Sequence, residues 1–373
     1  MSALGGDVPL LDHHCHPVVE EKLDRARFEG MLSESYFAGA AGPSAFDSPL
    51  GLAVQRWCAP ILDLDSHADP DAYLERRAAI GAADVSNRFL RAAGTSRLLI
   101  DTGLSEPGMI GIDAMAERAG APVGEVVRIE QVMSEVLDSA PGPGAFAGAF
   151  AAELAERSRG AVGLKSVAAY RGGLDLADPP ESAAVEAAAE SWAAGSGARL
   201  DDAALLRLGI EVAADVAAER GLPIQFHTGF GDPDLVLHRS DPSLLTPVIE
   251  RLRARGVTVT LLHCWPYLRE AAHLAAMFPN VYMDVGLAIP HTGGAGAVRV
   301  LAEAMELVPF GKLLYSSDAY ALAELHYLGA VLFRRALGRV LDDWIADGEV
   351  TAARAEGIVG AVAGGNAERI YPL

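Results

Sequence analysis

The chain is 373 residues long and carries a formal charge of −20, from 50 acidic and 30 basic side chains, with 51% hydrophobic and 6% aromatic residues. That balance describes a globular protein with an aliphatic core, and it argues against nucleic acid and anionic membranes as partners, because both need clustered Lys and Arg. Three cysteines, Cys15, Cys58 and Cys264, make no disulfide framework. The amino terminus has no signal-peptide pattern, and no apolar run approaches the ~20 residues of a membrane helix; a soluble cytoplasmic protein is the expectation.

The first strand ends in Asp12-His13-His14-Cys15-His16. Alternate side chains of a strand share a face, so Asp12, His14 and His16 are expected to point together into the fold while His13 and Cys15 face outward. Residues 20–95 are too many for one crossover. They are expected to form helices and a loop covering one end of the fold, with Trp57-Cys58-Ala59-Pro60 at a turn. Further strands are expected to end near Thr102, Glu130, Lys165, His227, His263, Asp284 and Asp318. Helix-like material separates most of them, most clearly over 202–212, where apolar residues recur every three or four positions. A second helical insertion, rich in Ala and Glu, runs from Gly172 to Arg199. Eight βα repeats with no internal linker predict one domain over residues 1–373. Its fold class is α/β, a (β/α)8 TIM-like barrel with helical insertions after strands 1 and 4.

Taken singly, the polar residues at these strand ends are ordinary. An H-x-H pair, His227 or His263 alone is more often a hydrogen-bonded core histidine, and Asp318 could cap the helix after it. All of them in order at strand ends predict a divalent-metal site at the C-terminal mouth of the barrel. Lys165 is one of three lysines, with Lys22 and Lys312, among basic residues that are otherwise arginine. That skew points to chemistry a guanidinium cannot perform. Three roles are open to Lys165: a carbamate bridging two metals, a Schiff base with a carbonyl substrate, or a cation for a substrate carboxylate. Arg171 offers a bidentate fork to a carboxylate, or a surface salt bridge. Asp284 is expected as a wall or an acceptor behind the site, and His291 as a substrate contact on a loop at the active end. Glu324 and His326 are assigned to a helix face, and His67, His238 and His273 to the surface. Cys15 and Cys264 are expected to point away and stay inert.

Several longer stretches are specific. They are Lys165-Ser166-Val167-Ala168-Ala169-Tyr170-Arg171-Gly172-Gly173-Leu174, His227-Thr228-Gly229-Phe230-Gly231-Asp232, Leu261-Leu262-His263-Cys264-Trp265-Pro266-Tyr267-Leu268-Arg269-Glu270, Asn280-Val281-Tyr282-Met283-Asp284-Val285-Gly286 and Tyr315-Ser316-Ser317-Asp318. Together they resemble the amidohydrolase superfamily of metal-dependent barrel enzymes, over nearly the whole chain. The resemblance is to the branch found fused to glutamine synthetase in FluG and nodulin-type proteins, and the expectation here is a barrel that carries no synthetase domain. It implies His14, His16, His227 and Asp318 as ligands of a divalent metal, zinc or else manganese, as one or two ions. His263 would be a second-metal ligand or an acid–base group, and Lys165 lies where binuclear members carry a carbamylated lysine. Asp318 would also take a proton from metal-bound water. Tyr170, Arg171 and His291 would hold an anionic small-molecule substrate. The implied activity is hydrolysis of a C–N bond, with a γ-glutamyl amide suggested by the branch's context, in a homo-oligomer. Two alternatives stand beside it: metal-dependent decarboxylation of a small unsaturated or aromatic acid, and a non-catalytic regulatory barrel.

Overall fold

The computed structural model describes residues 4–196 and 199–373. Seven parallel strands are hydrogen-bonded in chain order: β1 (Leu10–Cys15), β2 (Thr95–Asp101), β3 (Val123–Arg128), β4 (Gly163–Ser166), β5 (Ile224–His227), β6 (Val259–Leu262) and β7 (Val281–Met283). The eighth expected strand is an extended segment rather than a regular one. Leu314 N–H donates to the Met283 carbonyl (2.9 Å), and His13 N–H donates to the Tyr315 carbonyl (3.2 Å). The segment thus joins β7 to β1 and closes a TIM barrel. It stops being a strand soon afterwards, because the chain turns into the left-handed region at Asp318 (φ 48°).

Side-chain alternation divides the core in two. Leu11, Leu99, Val126, Val162 and Leu314, with Ala367 and Tyr371, fill the inside of the ring. Their neighbours Leu10, Leu98, Ile100, Val127 and Leu164 face the surrounding helices. Such two-sided burial is what parallel strands under a helical layer require.

β1 breaks the alternation. Between the pairs Asp12↔Leu98 and Cys15↔Ile100 it advances one residue more than β2 does. The extra residue is a β-bulge, which leaves a residue unpaired and re-aims its neighbours. His14 and His16 point inward and Cys15 outward, as alternation predicts. Asp12 and His13 are exchanged. His13 reaches Asp284 and Tyr371 inside the ring, whereas Asp12 points outward and takes the Ser317 backbone and side chain.

The insertion after β1 carries the helices Arg25–Gly30, Pro49–Ala53, Pro70–Ile80 and Ala82–Ala92. The expected turn at Trp57–Pro60 is helical: a π-type turn over Val54–Cys58 runs into a 3-10 turn over Ala59–Leu62. Pro60 is tolerated there because it sits at the start of the turn, where its missing N–H has no partner to lose. Glu324 clamps this insertion to the barrel. From the helix Ala323–Ala346 it accepts from Arg77 (2.7 Å) and the Tyr73 hydroxyl (3.0 Å), all out of solvent. The periodic stretch from 202 becomes the helix Ala203–Arg220, capped by Asp202 and ended by Gly221 at φ 67°. Among the described residues, no helix is long and apolar enough to cross a membrane.

Candidate metal centre and cavity

Two residues of the mouth sit in left-handed backbone, His263 at φ 69° and Asp318 at φ 48°. For residues other than glycine this costs about 1–3 kcal/mol each, so each needs restraint. Asp318 N–H donates to the His14 carbonyl (3.0 Å), and outward-facing Asp12 grips Ser317 just before it. His263 N–H donates to Asp284 Oδ1 (2.9 Å). Asp12 and Asp284 therefore serve the mouth by setting backbone.

His14 Nε2 lies 3.0 Å from Asp318 Oδ1, and His16 Nε2 lies 3.5 Å from the same oxygen. These three atoms form one group within 4.8 Å. His263 Nε2 is 3.2 Å from the other Asp318 oxygen, and Lys165 Nζ is 3.1 Å from His14 Nε2. His227 stands outside the trio. Its ring lies 4.7 Å from that of His263 and 4.3 Å from that of Tyr170. Its Nε2 donates to the Phe230 carbonyl (3.1 Å), so its lone pair is on Nδ1.

The tautomers follow from what lies behind the rings. Gln225 Nε2 donates to the His13 carbonyl (2.8 Å) and to the Tyr371 hydroxyl (2.9 Å). Its Oε1 therefore faces His14 Nδ1 (2.8 Å) and can only accept. His14 carries its proton on Nδ1 and a lone pair on Nε2. His16 Nδ1 likewise donates to the Asp101 carbonyl (3.2 Å). Burial, reinforced by Lys165, pushes His14 down to about 3, so its ring is neutral at neutral pH. Burial alone would raise the Asp318 carboxyl, but the imidazoles around it, His263 foremost, hold it well below the ordinary carboxylate range.

Two lone pairs thus face one anionic oxygen. They repel unless a cation sits among them. Bonds of ~2.0–2.2 Å to a tetrahedral zinc place ligand atoms about 3.3 Å apart, close to the 3.0 and 3.5 Å observed here. The residues present fit a divalent ion.

Below the trio lies a polar floor, in which Asp284 is the acceptor behind the site that the sequence led one to expect. His13 Nε2 donates to Asp284 Oδ2 (2.8 Å), and His13 Nδ1 is 2.9 Å from the Tyr371 hydroxyl. Asp284 also accepts from Gly286 N–H (2.8 Å). Burial would raise its pKa, but the hydrogen bond and charge of His13 outweigh that and hold it well below the usual range. Strand parity places Gln225 inside; nothing in the sequence marks Tyr371.

Above the trio opens a cavity of about 820 Å³, with Lys165, Arg128, Tyr170, Arg171, Glu34 and Asp232 among the residues that line it. Arg128 is held by Asp101 (2.7 Å), a pair the sequence did not suggest. Arg171 has a buried Nε with no partner. His291 is not on the expected loop but near the start of the helix Ala288–Met305. It does not line the cavity; its Nε2 lies 3.4 Å from Glu34, which does. His326 is buried on the helix that carries Glu324, while His67, His238 and His273 are exposed. Cys15 and Cys264 are buried with thiols turned to backbone carbonyls, and burial raises both thiol pKa values.

Residues 11–373 match the family model described as Amidohydrolase. The chain belongs to the amidohydrolase family. It is 29% identical to Protein fluG of Emericella nidulans in a 404-residue alignment that covers 98% of this chain and 46% of that protein. The chain therefore spans about half the length of the curated relative it matches. A Lactobacillus casei structure, provisionally assigned as a metal-dependent hydrolase, is 30% identical with a TM-score of 0.86, over 98% of this amidohydrolase and 95% of that chain. A glucuronate isomerase from Caulobacter crescentus, 16% identical with a TM-score of 0.69 over 98% and 91%, shares the fold. This amidohydrolase thus has a metal-dependent hydrolase fold with a His/Asp set at its mouth.

Proposed function

We propose that this amidohydrolase cleaves the C–N bond of an amide in a small carboxylate-bearing substrate, with γ-glutamyl amides as the leading class. The observation that carries the reading is the convergence of the His14 and His16 lone pairs on ionised Asp318 beneath the cavity holding Arg171. His14, His16 and Asp318 would hold the ion, zinc or else manganese, with His227 adding an imidazole through Nδ1. A divalent metal bound there supplies a Lewis acid and a water that ionises near neutral pH. Asp318, kept anionic, accepts the proton of the attacking water. His263, which burial keeps neutral, lies 3.2 Å from that carboxylate and can pass the proton to the leaving amine. Arg171 orients the substrate carboxylate, and Tyr170, packed on His227, walls the reacting carbonyl from water.

Two of the roles open to Lys165 are compatible with this hydrolase reading. Burial, opposed by Asp101, lowers its pKa to about 8, so its ammonium at the His14 edge can draw on the carbonyl oxygen as a cation. A second ion would instead require it as a carbamate beside His227 and His263. Elemental analysis of protein purified without chelator decides: near one ion per chain supports the cation, near two the carbamate. Amine release from a panel of γ-glutamyl and N-acyl amides tests the reaction itself. Asp318→Asn should abolish turnover and keep the metal; undiminished activity would remove Asp318 from the mechanism. Release of carbon dioxide in place of an amine would make the protein a decarboxylase.

A further inference from the structure

The charges lining the cavity pair off almost completely. Arg27, Arg128, Glu29, Glu34, Glu106 and Asp234 each have an oppositely charged or imidazole partner within 3.4 Å. Lys165 and Asp318 belong to the metal centre. Among the described residues, two charges are left over, one of each sign. Arg171 makes no ion pair or side-chain hydrogen bond, and its Nε is buried with no partner. The Asp232 carboxylate forms no ion pair, although Arg199 is near enough to draw its pKa down, and it accepts only the Asp234 backbone N–H (2.9 Å).

The two line the same cavity without touching. A Cβ at Gly231 would lie 2.2 Å from the Tyr170 hydroxyl, so the backbone just before Asp232 packs on the side chain just before Arg171. Arg171 and Asp232 nevertheless form no ion pair with each other. Burial works against both, lowering the Arg171 pKa, with Arg199 adding repulsion, and raising that of Asp232. Tyr170 stands between this pair and the metal centre, its ring 4.3 Å from that of His227. Two opposite charges without an ion-pair contact, lining one cavity, suit a ligand that carries both charges itself.

We propose that Arg171 and Asp232 form a head-group subsite for an α-amino acid, with the α-carboxylate on Arg171 and the α-ammonium on Asp232. A zwitterionic head leaves only the side chain to carry the scissile amide. That amide then reaches past Tyr170 to the metal centre, as a γ-glutamyl or β-aspartyl amide would. The scissile bond rests on the hydrolase reading above; the head-group recognition does not.

The test is therefore a binding experiment on the metal-loaded protein. Titration calorimetry compares glutamate, which has both charges, with glutarate, which lacks the ammonium, and 4-aminobutyrate, which lacks the α-carboxylate. Glutamate should bind about tenfold or more tightly than either, the scale of a lost charge-assisted hydrogen bond. Asp232→Asn should bring glutamate down to the level of glutarate while glutarate itself is unaffected. Arg171→Gln should bring glutamate down to the level of 4-aminobutyrate. Equal affinities for glutamate and glutarate in the unaltered protein would overturn the subsite, as would variants that weaken all three ligands alike. Selective glutamate binding without turnover of any amide would sustain the subsite and reject the hydrolase reading alone.

Discussion

The floor and the roof of the cavity are built by opposite means. His13, Gln225, Asp284 and Tyr371 form a floor in which every side chain is buried and hydrogen-bonded to another of the set or to barrel backbone. The roof, residues 33–42, has no regular element, turns at Gly39 (φ 80°) and Gly42 (φ 75°), and leaves Tyr36 and Phe37 each 62% exposed. It is tied down by the Tyr36 hydroxyl on Asp234 (2.9 Å) and by Glu34 against His291 (3.4 Å). A buried polar group left unpaired is costly, so the floor has one arrangement it can keep. An exposed hydrogen bond exchanges readily with water, so the roof can change at little cost. Metal chemistry thus rests on the part of the molecule least able to move, and access on the part most able to.

Altering the floor should give the largest effects. Gln225→Leu removes the acceptor behind His14 and the donor to Tyr371. Loss of such a partner weakens metal binding about 10–100-fold, measurable by competition with a chromophoric chelator. An unchanged affinity would mean that Gln225 does not set the His14 tautomer. Tyr371→Phe keeps the ring and removes only the hydroxyl, so a smaller loss is expected, at about the tenfold end of that range. It should come with about 1–3 kcal/mol of lost stability from the groups left unpaired, read by urea unfolding. If stability falls and metal affinity does not, Tyr371 is a packing residue only.

Acid should act through the buried carboxylates and histidines around the site. The folded pKa values of Asp284 and Asp101 lie below those of the unfolded chain, held there against burial by His13 and Arg128 respectively. Their stabilisation is present above the ordinary carboxylate value of ~3.9 and is lost as pH falls further, toward the folded values. The urea midpoint should begin to fall below about pH 6.5, where histidines that burial keeps neutral, His14 and His263 among them, take up protons only in the unfolded chain. It should fall more steeply below about pH 4, as these carboxylates lose their contribution. Asp101→Asn should make that drop shallower; an equally steep fall would exclude this pair as a cause. The smallest effect belongs to the roof. Tyr36→Phe removes one exposed hydrogen bond, costs less than about 1 kcal/mol, and should leave metal affinity where it was.

The barrel and most of its mouth were legible in the sequence because strand ends announce themselves. An apolar run that stops at His14, Lys165, His227 or His263 marks the end of a strand, and the run before Asp318 marks the extended segment that joins the ring. Asp12 and His13 were misplaced for a definite reason. The bulge in β1 adds a residue without a glycine or proline to mark it, and one added residue reverses a two-residue period. His291 was placed on a loop because Pro290 and the glycines after Thr292 look like chain punctuation. The chain is instead helical on both sides of Gly293, whose non-helical backbone (φ 67°, ψ −179°) breaks the run just after His291. Asp232 was visible within a motif but unremarkable, since an ion's lack of a partner is a property of three-dimensional neighbours. Tyr371 had no motif at all, and its role appears only once its hydroxyl is found between His13 and Gln225.

That contact has a consequence for how the protein acquires its ion. His13 and Tyr371 are separated by 358 positions in sequence, and Gln225 and His14 by 211. Contacts of such long range form only after most loop-closure entropy has been overcome. A partly folded chain holds the H-x-H pair but not the support that turns its lone pairs the same way. Tight metal uptake therefore acts as a readout of ring closure, and a chain stalled short of the native barrel should be a poor competitor for scarce ions.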